Sequence, residues 1–155
     1  TINIILEIIN RDKIFNYALT FIQIFEDNDA QEGSEVNAFR HTFWISIITS
    51  KWGENIGLQA GNAHEKIKLI HEIKDIYSHK FRTLSDADQA VGLLNNVIGR
   101  EIGKITSIDS KPKDIAKKVL DYYYTNGLNI VKETDDGHYV RLLYTSPSPR
   151  DTERS

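Results

Sequence analysis

The 155-residue chain has no cysteine, no methionine and only three prolines. Without cysteine, disulfides and thiolate metal centres are excluded, and the redox compartment has no signature. So few prolines leave long stretches in which a helix can run without interruption. An excess of either charge is also missing. The formal net charge of −3 supplies no basic patch, so neither nucleic acid nor an anionic membrane is an expected partner. No apolar run approaches the roughly 20 residues needed to span a bilayer. The longest, residues 2–9, is broken by Asn3 and Glu7 and lacks the flanks of a signal peptide. What remains is 40% hydrophobic and 26% charged, a globular balance at a single-domain length.

A chain that begins at Thr1 and lacks methionine is expected to be a piece of a longer protein. Residues 142–155, LLYTSPSPRDTERS, have no amphipathic period and a Ser/Pro/charged composition unlike the rest. This segment resembles translated sequencing-adapter read-through, with an ordinary disordered end as the alternative. The expected organisation is one helical domain over 1–141 and an artefactual or disordered tail over 142–155.

Apolar spacing near 3.6 residues predicts a helix over 2–26, with a possible break near Asn10. An acidic loop over 27–35 follows, then a second helix capped by Ser34 or Asn37 and ended by Gly53. A third helix is predicted over 54–78. The fourth starts at an N-cap Ser85, runs to about Ile105, and has Ala87, Ala90, Val91, Leu94, Val97 and Ile98 as its core face. A fifth covers 113–124. Residues 128–131 and 138–143 flank Asp135-Asp136-Gly137, where Asp-Gly is a signal for a two-residue hairpin turn. The expected class is all-α, a four- to five-helix bundle-like domain with a short extended or hairpin piece near the C-terminus.

Three polar clusters interrupt the apolar helical pattern: Arg40-His41, His64-Glu65, and Asn95-Asn96 with Arg100. His41 shares a stripe with Ala38, Trp44, Ile45 and Ile48, and Gly57, Ala60, Gly61 and Ala63 would let a neighbouring helix approach near His64. Buried polar groups are costly unless paired, so the clusters mark either a hydrogen-bonded structural core or an active site. In the catalytic reading, His41 and His64 are general acid and base, Glu65 fixes a tautomer, Arg40 belongs to the site, and Arg100 with Asn96 holds an anionic group. In a metal reading, His41, His64 and Glu65 bind a divalent cation, with Asp86 or Asp88 as a further oxygen ligand. The order His…His-Glu…Asp loosely resembles that of HD-type phosphohydrolases, with Glu65 in place of the doublet's Asp. His64-Glu65 is not a zincin motif, because Lys68 stands where the second His belongs. Ser46 and Ser50 lack a nucleophile-elbow setting. The reading is therefore a hydrolase-type enzyme acting on an unnamed small or polymeric substrate. The alternative is a non-catalytic structural or interaction domain with a buried hydrogen-bond network.

The blocks AFRHTFW, NAHE and NNVIGREIG together resemble an uncharacterised family of small helical bacterial domains with A-F-R-H-x-x-W, A-H-E and D-x-x-N-N-x-x-G-R blocks. The pattern falls on Ala38, Arg40, His41, Trp44, Gly53, Ala63, His64, Glu65, Asn95, Asn96, Gly99 and Arg100. The family's acid close before the two Asn is absent here, leaving Asp86 and Asp88 further upstream. The resemblance implies a helical fold with a polar core and, for some members, a secreted or toxin-like context.

Overall fold

The computed structural model describes residues 32–64, without the side chains of Ala63 and His64, and residues 75–145. The described chain is mostly helical: α1 (Glu35–Trp52), α2 (Glu54–His64), α3 (Leu84–Lys104) and α4 (Pro112–Asn126), then strands β1 (Leu128–Glu133) and β2 (Tyr139–Tyr144). The helix predicted over 2–26 lies outside the described residues.

α1 is the central helix. It is buried on most sides and packs against α2, α3, α4 and β1, with polar Asn37, Thr42, Ser46 and Thr49 among its buried residues. Phe43, Ile45 and Ile48 are fully buried along it. Its start is set by Ser34, whose side chain accepts a hydrogen bond from the Asn37 backbone N–H. Its end is set by Gly53 at φ 92, whose N–H bonds to the Thr49 carbonyl. α2 turns back immediately.

Two expected boundaries move. The third helix does not reach Ser78: Asp75 takes hydrogen bonds from the Tyr77 N–H and the Ser78 hydroxyl, the side-chain turn that competes with helix. The N-cap of α3 is Thr83 rather than Ser85, because Thr83 has the extended backbone and accepts the Asp86 N–H.

Glycine sets how α1 and α3 meet. A Cβ on Gly99 would lie 2.7 Å from the Thr42 carbonyl oxygen, and one on Gly103 would lie 2.8 Å from that of Ser46. Ser46 Oγ, fully buried, bonds to the carbonyls of both Thr42 and Gly99 and so bridges the two helices. Gly99 meets residues near 42–45 and Gly103 meets residues near 46–49, so the helices run in the same direction. The expected core face of α3 holds at Ala87, Ala90 and Val91, and Ile98 packs against the core, but Val97 does not belong to it. Val97 is 46% exposed, whereas Gly92, Asn95, Asn96, Gly99 and Gly103 are buried. A hydrophobicity pattern gives glycine and asparagine little weight and so misses their part of the buried face.

α4 starts with Pro112 and buries Ile115, Ala116, Val119 and Tyr123. Gly127, at φ 83, ends it and delivers the chain into an antiparallel hairpin with Leu128 opposite Tyr144 and Glu133 opposite Tyr139. The loop is one residue longer than a two-residue turn. Thr134 N–H bonds to the His138 carbonyl and Gly137, at φ 78, bonds back to Thr134, so Asp135-Asp136-Gly137 forms the tip. β2 includes Leu142–Tyr144, and Tyr144 packs against the main core. No described helix is long and apolar enough to cross a membrane.

Candidate functional site

The parallel course of α1 and α3 places polar groups of both helices at matching levels, beginning at their N-terminal ends. Asp88 Oδ1 accepts from the Gly33 N–H at 2.6 Å and from the Asn37 amide at 2.8 Å. Asn37 Oδ1 in turn accepts from Arg40 Nη2 at 2.7 Å. Burial raises the Asp88 carboxyl above its usual range, while the Gly33 and Asn37 hydrogen bonds and the Arg40 charge pull the other way. Of this network, only Arg40 belonged to the expected catalytic set. Asn37 looked like a helix cap, and Asp88 like a metal ligand.

Further along α3 the adjacent residues Asn95 and Asn96 are both 1% exposed but are treated differently. The Asn95 amide pairs with the backbone of Asn129 as a neighbouring strand would: Nδ2 donates to the Asn129 carbonyl at 2.8 Å, and Oδ1 accepts the Asn129 N–H at 2.9 Å. Asn129 Oδ1 accepts from Arg141 Nε at 2.7 Å, which carries the network to a guanidinium lying over the Tyr77 ring. Asn95 is therefore structural: it seats the hairpin on α3. The Asn96 amide has neither its oxygen nor its nitrogen hydrogen-bonded. It lies against α2, where a Cβ on Gly61 would come within 2.9 Å of Asn96 Nδ2.

Arg100 follows Asn96 by one turn and is half-buried. Its Cγ lies along the backbone of α2 at Gly57, and the Thr49 hydroxyl, also buried without a hydrogen bond, abuts the same glycine. Removal from water lowers the Arg100 pKa, opposed by the charges of Glu54 and Glu101. α2 thus crosses α3 in reverse, Gly57 beside Arg100 and Gly61 beside Asn96.

Helix arithmetic then relates the two histidine positions. From the contact of Thr49 with Gly57, His41 lies about 12 Å back along α1 and His64 about 10.5 Å forward along α2, at 1.5 Å per residue. The antiparallel α1–α2 pair therefore brings these backbone positions to one level. The side chain of His41 is half-buried; that of His64, and Glu65 as a whole, lie outside the described residues. Arg40 turns toward Asn37 and the Asp88 end of α3, about 18 Å along the helix from Arg100. The two arginines thus serve different levels of the layer. Among the described residues, no three His, Asp or Glu side chains gather as a metal-ligand set, and Asp86 and Asp88 join none.

Other polar residues have structural placements. The Tyr123 hydroxyl donates to Glu35 at 2.8 Å. His79 stands edge-on to Phe81, and Lys111, Lys113, Lys117 and Lys118 are exposed.

No curated protein and no solved structure matches the chain. The family model described as a domain of unknown function, DUF6973, matches residues 2–127. That span includes α1 to α4 and every expected site residue, and on this match the chain belongs to that family.

Proposed function

We propose that the chain is a hydrolase-type enzyme whose site lies in the polar layer between α1, α2 and α3. His41 and His64 act as general acid and base, Glu65 orients one imidazole, and Arg100 with Asn96 stabilises negative charge on the substrate. Arg40, held by Asn37, sets the charge balance at the Asp88 end. The observation that carries this reading is Asn96. A layer kept only for stability should be fully bonded, yet this amide is buried with neither polar atom satisfied, and the Thr49 hydroxyl nearby is in the same state. Unpaired polar groups of this kind collect where function rather than stability selects the residue.

The competing reading is a non-catalytic structural or interaction domain, and Asn95 and Ser46 favour it, since both are fully used in holding elements together. A turnover screen of the full chain against phosphoester, amide and glycoside substrates decides between them. The enzyme reading expects one class to be hydrolysed and His41→Gln to lower the rate by about 100-fold or more, the usual size of an acid–base contribution. No turnover in any class, or a rate unchanged by His41→Gln, would overturn it. A divalent cation held by His41, His64 and Glu65 is a version of the same proposal, read by metal content that is near stoichiometric and lost in His41→Ala.

A further inference from the structure

Arg100 is a half-buried cation that its surroundings leave uncommitted. Among the described residues it makes no hydrogen bond and no ion pair. The carboxylates of Glu54 and Glu101 act on it only at longer range, because Lys104 takes both, at 3.5 Å and 3.4 Å. A guanidinium keeps its charge when partly desolvated, so this position carries a positive charge with no carboxylate in direct contact. One turn back, the buried Asn96 amide has two unused N–H donors and an unused oxygen. α2 meets the two side chains at glycines, Gly57 beside Arg100 and Gly61 beside Asn96.

We infer that Arg100 and Asn96 form an oxyanion-binding subsite, which takes a phosphate or carboxylate group of the substrate. The inference rests on the enzyme reading above and names the substrate class. The planar guanidinium fork matches two oxygens of either group, and the amide adds a third donor. A cationic or purely apolar ligand would give the Arg100 guanidinium no direct partner. Lys104 is a positioning residue in this arrangement: by holding Glu54 and Glu101 it keeps both carboxylates off Arg100.

The test is calorimetric titration of the full chain at low salt, with inorganic phosphate in one arm and acetate in the other. Saturable binding below about 10 mM is expected in at least one arm, and the tighter arm identifies the source of the oxyanion. Arg100→Gln is expected to weaken it by about tenfold or more, the size of a lost charge-assisted hydrogen bond. Lys104→Gln, an exposed change that does not touch the subsite, is expected to weaken it as well. Adding Glu54→Gln and Glu101→Gln to the Lys104 variant should restore it. Absence of binding in both arms, or an affinity unchanged in Arg100→Gln, would overturn the subsite. Hydrolysis of an uncharged substrate that depends on His41, with no anion binding, would overturn the subsite alone. Anion binding that depends on Arg100, with no turnover in any substrate class, would support the subsite and overturn the enzyme reading.

Discussion

Asn95 and Asn96 are consecutive, equally buried and chemically identical, yet one has its amide bonded through both ends and the other has none of it bonded. Their difference comes from direction around the helix: one side chain reaches an open strand edge at Asn129, the other meets the glycine face of α2. Nothing in the dipeptide itself says which is which, because the partner of Asn95 lies 34 residues away. Asp88 shows the same limit. Its acidity marked it as a candidate ligand, whereas its environment makes it the hydrogen-bonded link between Gly33 and Asn37. Because burial raises its folded pKa above the usual aspartate range, the folded state holds this proton more tightly than the unfolded chain. Its contribution to stability is therefore fullest below the unfolded value and declines as pH rises through the folded one. Asp88→Asn keeps an oxygen for Gly33 and Asn37 and removes the titration. Across urea unfolding from about pH 4 to about pH 7, the wild type should lose stability relative to this variant. A difference that does not change with pH would contradict the account of Asp88.

At the scale of elements, the helices that the sequence predicted most securely are those with a capping signal and a clear period. α1 begins at Ser34 and ends at Gly53 as expected, and α4 begins at its proline. The errors fall where local chemistry has close competitors, as at Thr83 against Ser85, or where packing depends on the absence of a side chain. Gly99 and Gly103 are one turn apart and let α3 approach α1 closely enough for Ser46 to bridge them. That contact, rather than Val97, decides which face of α3 is buried. Gly99→Ala places a methyl group against a backbone carbonyl that cannot rotate away, and an overpacking cost of about 1–3 kcal/mol is expected in denaturant unfolding. An unchanged midpoint would mean that α3 shifts freely on α1, and the close approach would lose its role.

For the whole molecule, α1 acts as an axis. α3 runs parallel to it and α2 antiparallel, so polar groups more than fifty residues apart in sequence, Asn37 with Asp88 and Ser46 with Gly99, meet between α1 and α3. The three blocks were visible in the sequence as polar interruptions of apolar helices, and with them most of the helical architecture. The arrangement of levels was not, since it depends on which glycines touch which carbonyls. It also divides the expected catalytic set, with Arg40 serving the Asp88 end and Asn96 with Arg100 serving the other. The central claim is that this layer combines a structural half with a half whose hydrogen bonding is left unfilled for a ligand. Equilibrium urea unfolding of Asn95→Ala beside Asn96→Ala tests it most directly. Asn95→Ala should cost about 2–4 kcal/mol, because it orphans the buried N–H and carbonyl of Asn129. Asn96→Ala should lie within about 1 kcal/mol of wild type, since it removes an amide that is already unpaired. Equal and large losses in both variants would contradict the account and make the whole layer structural.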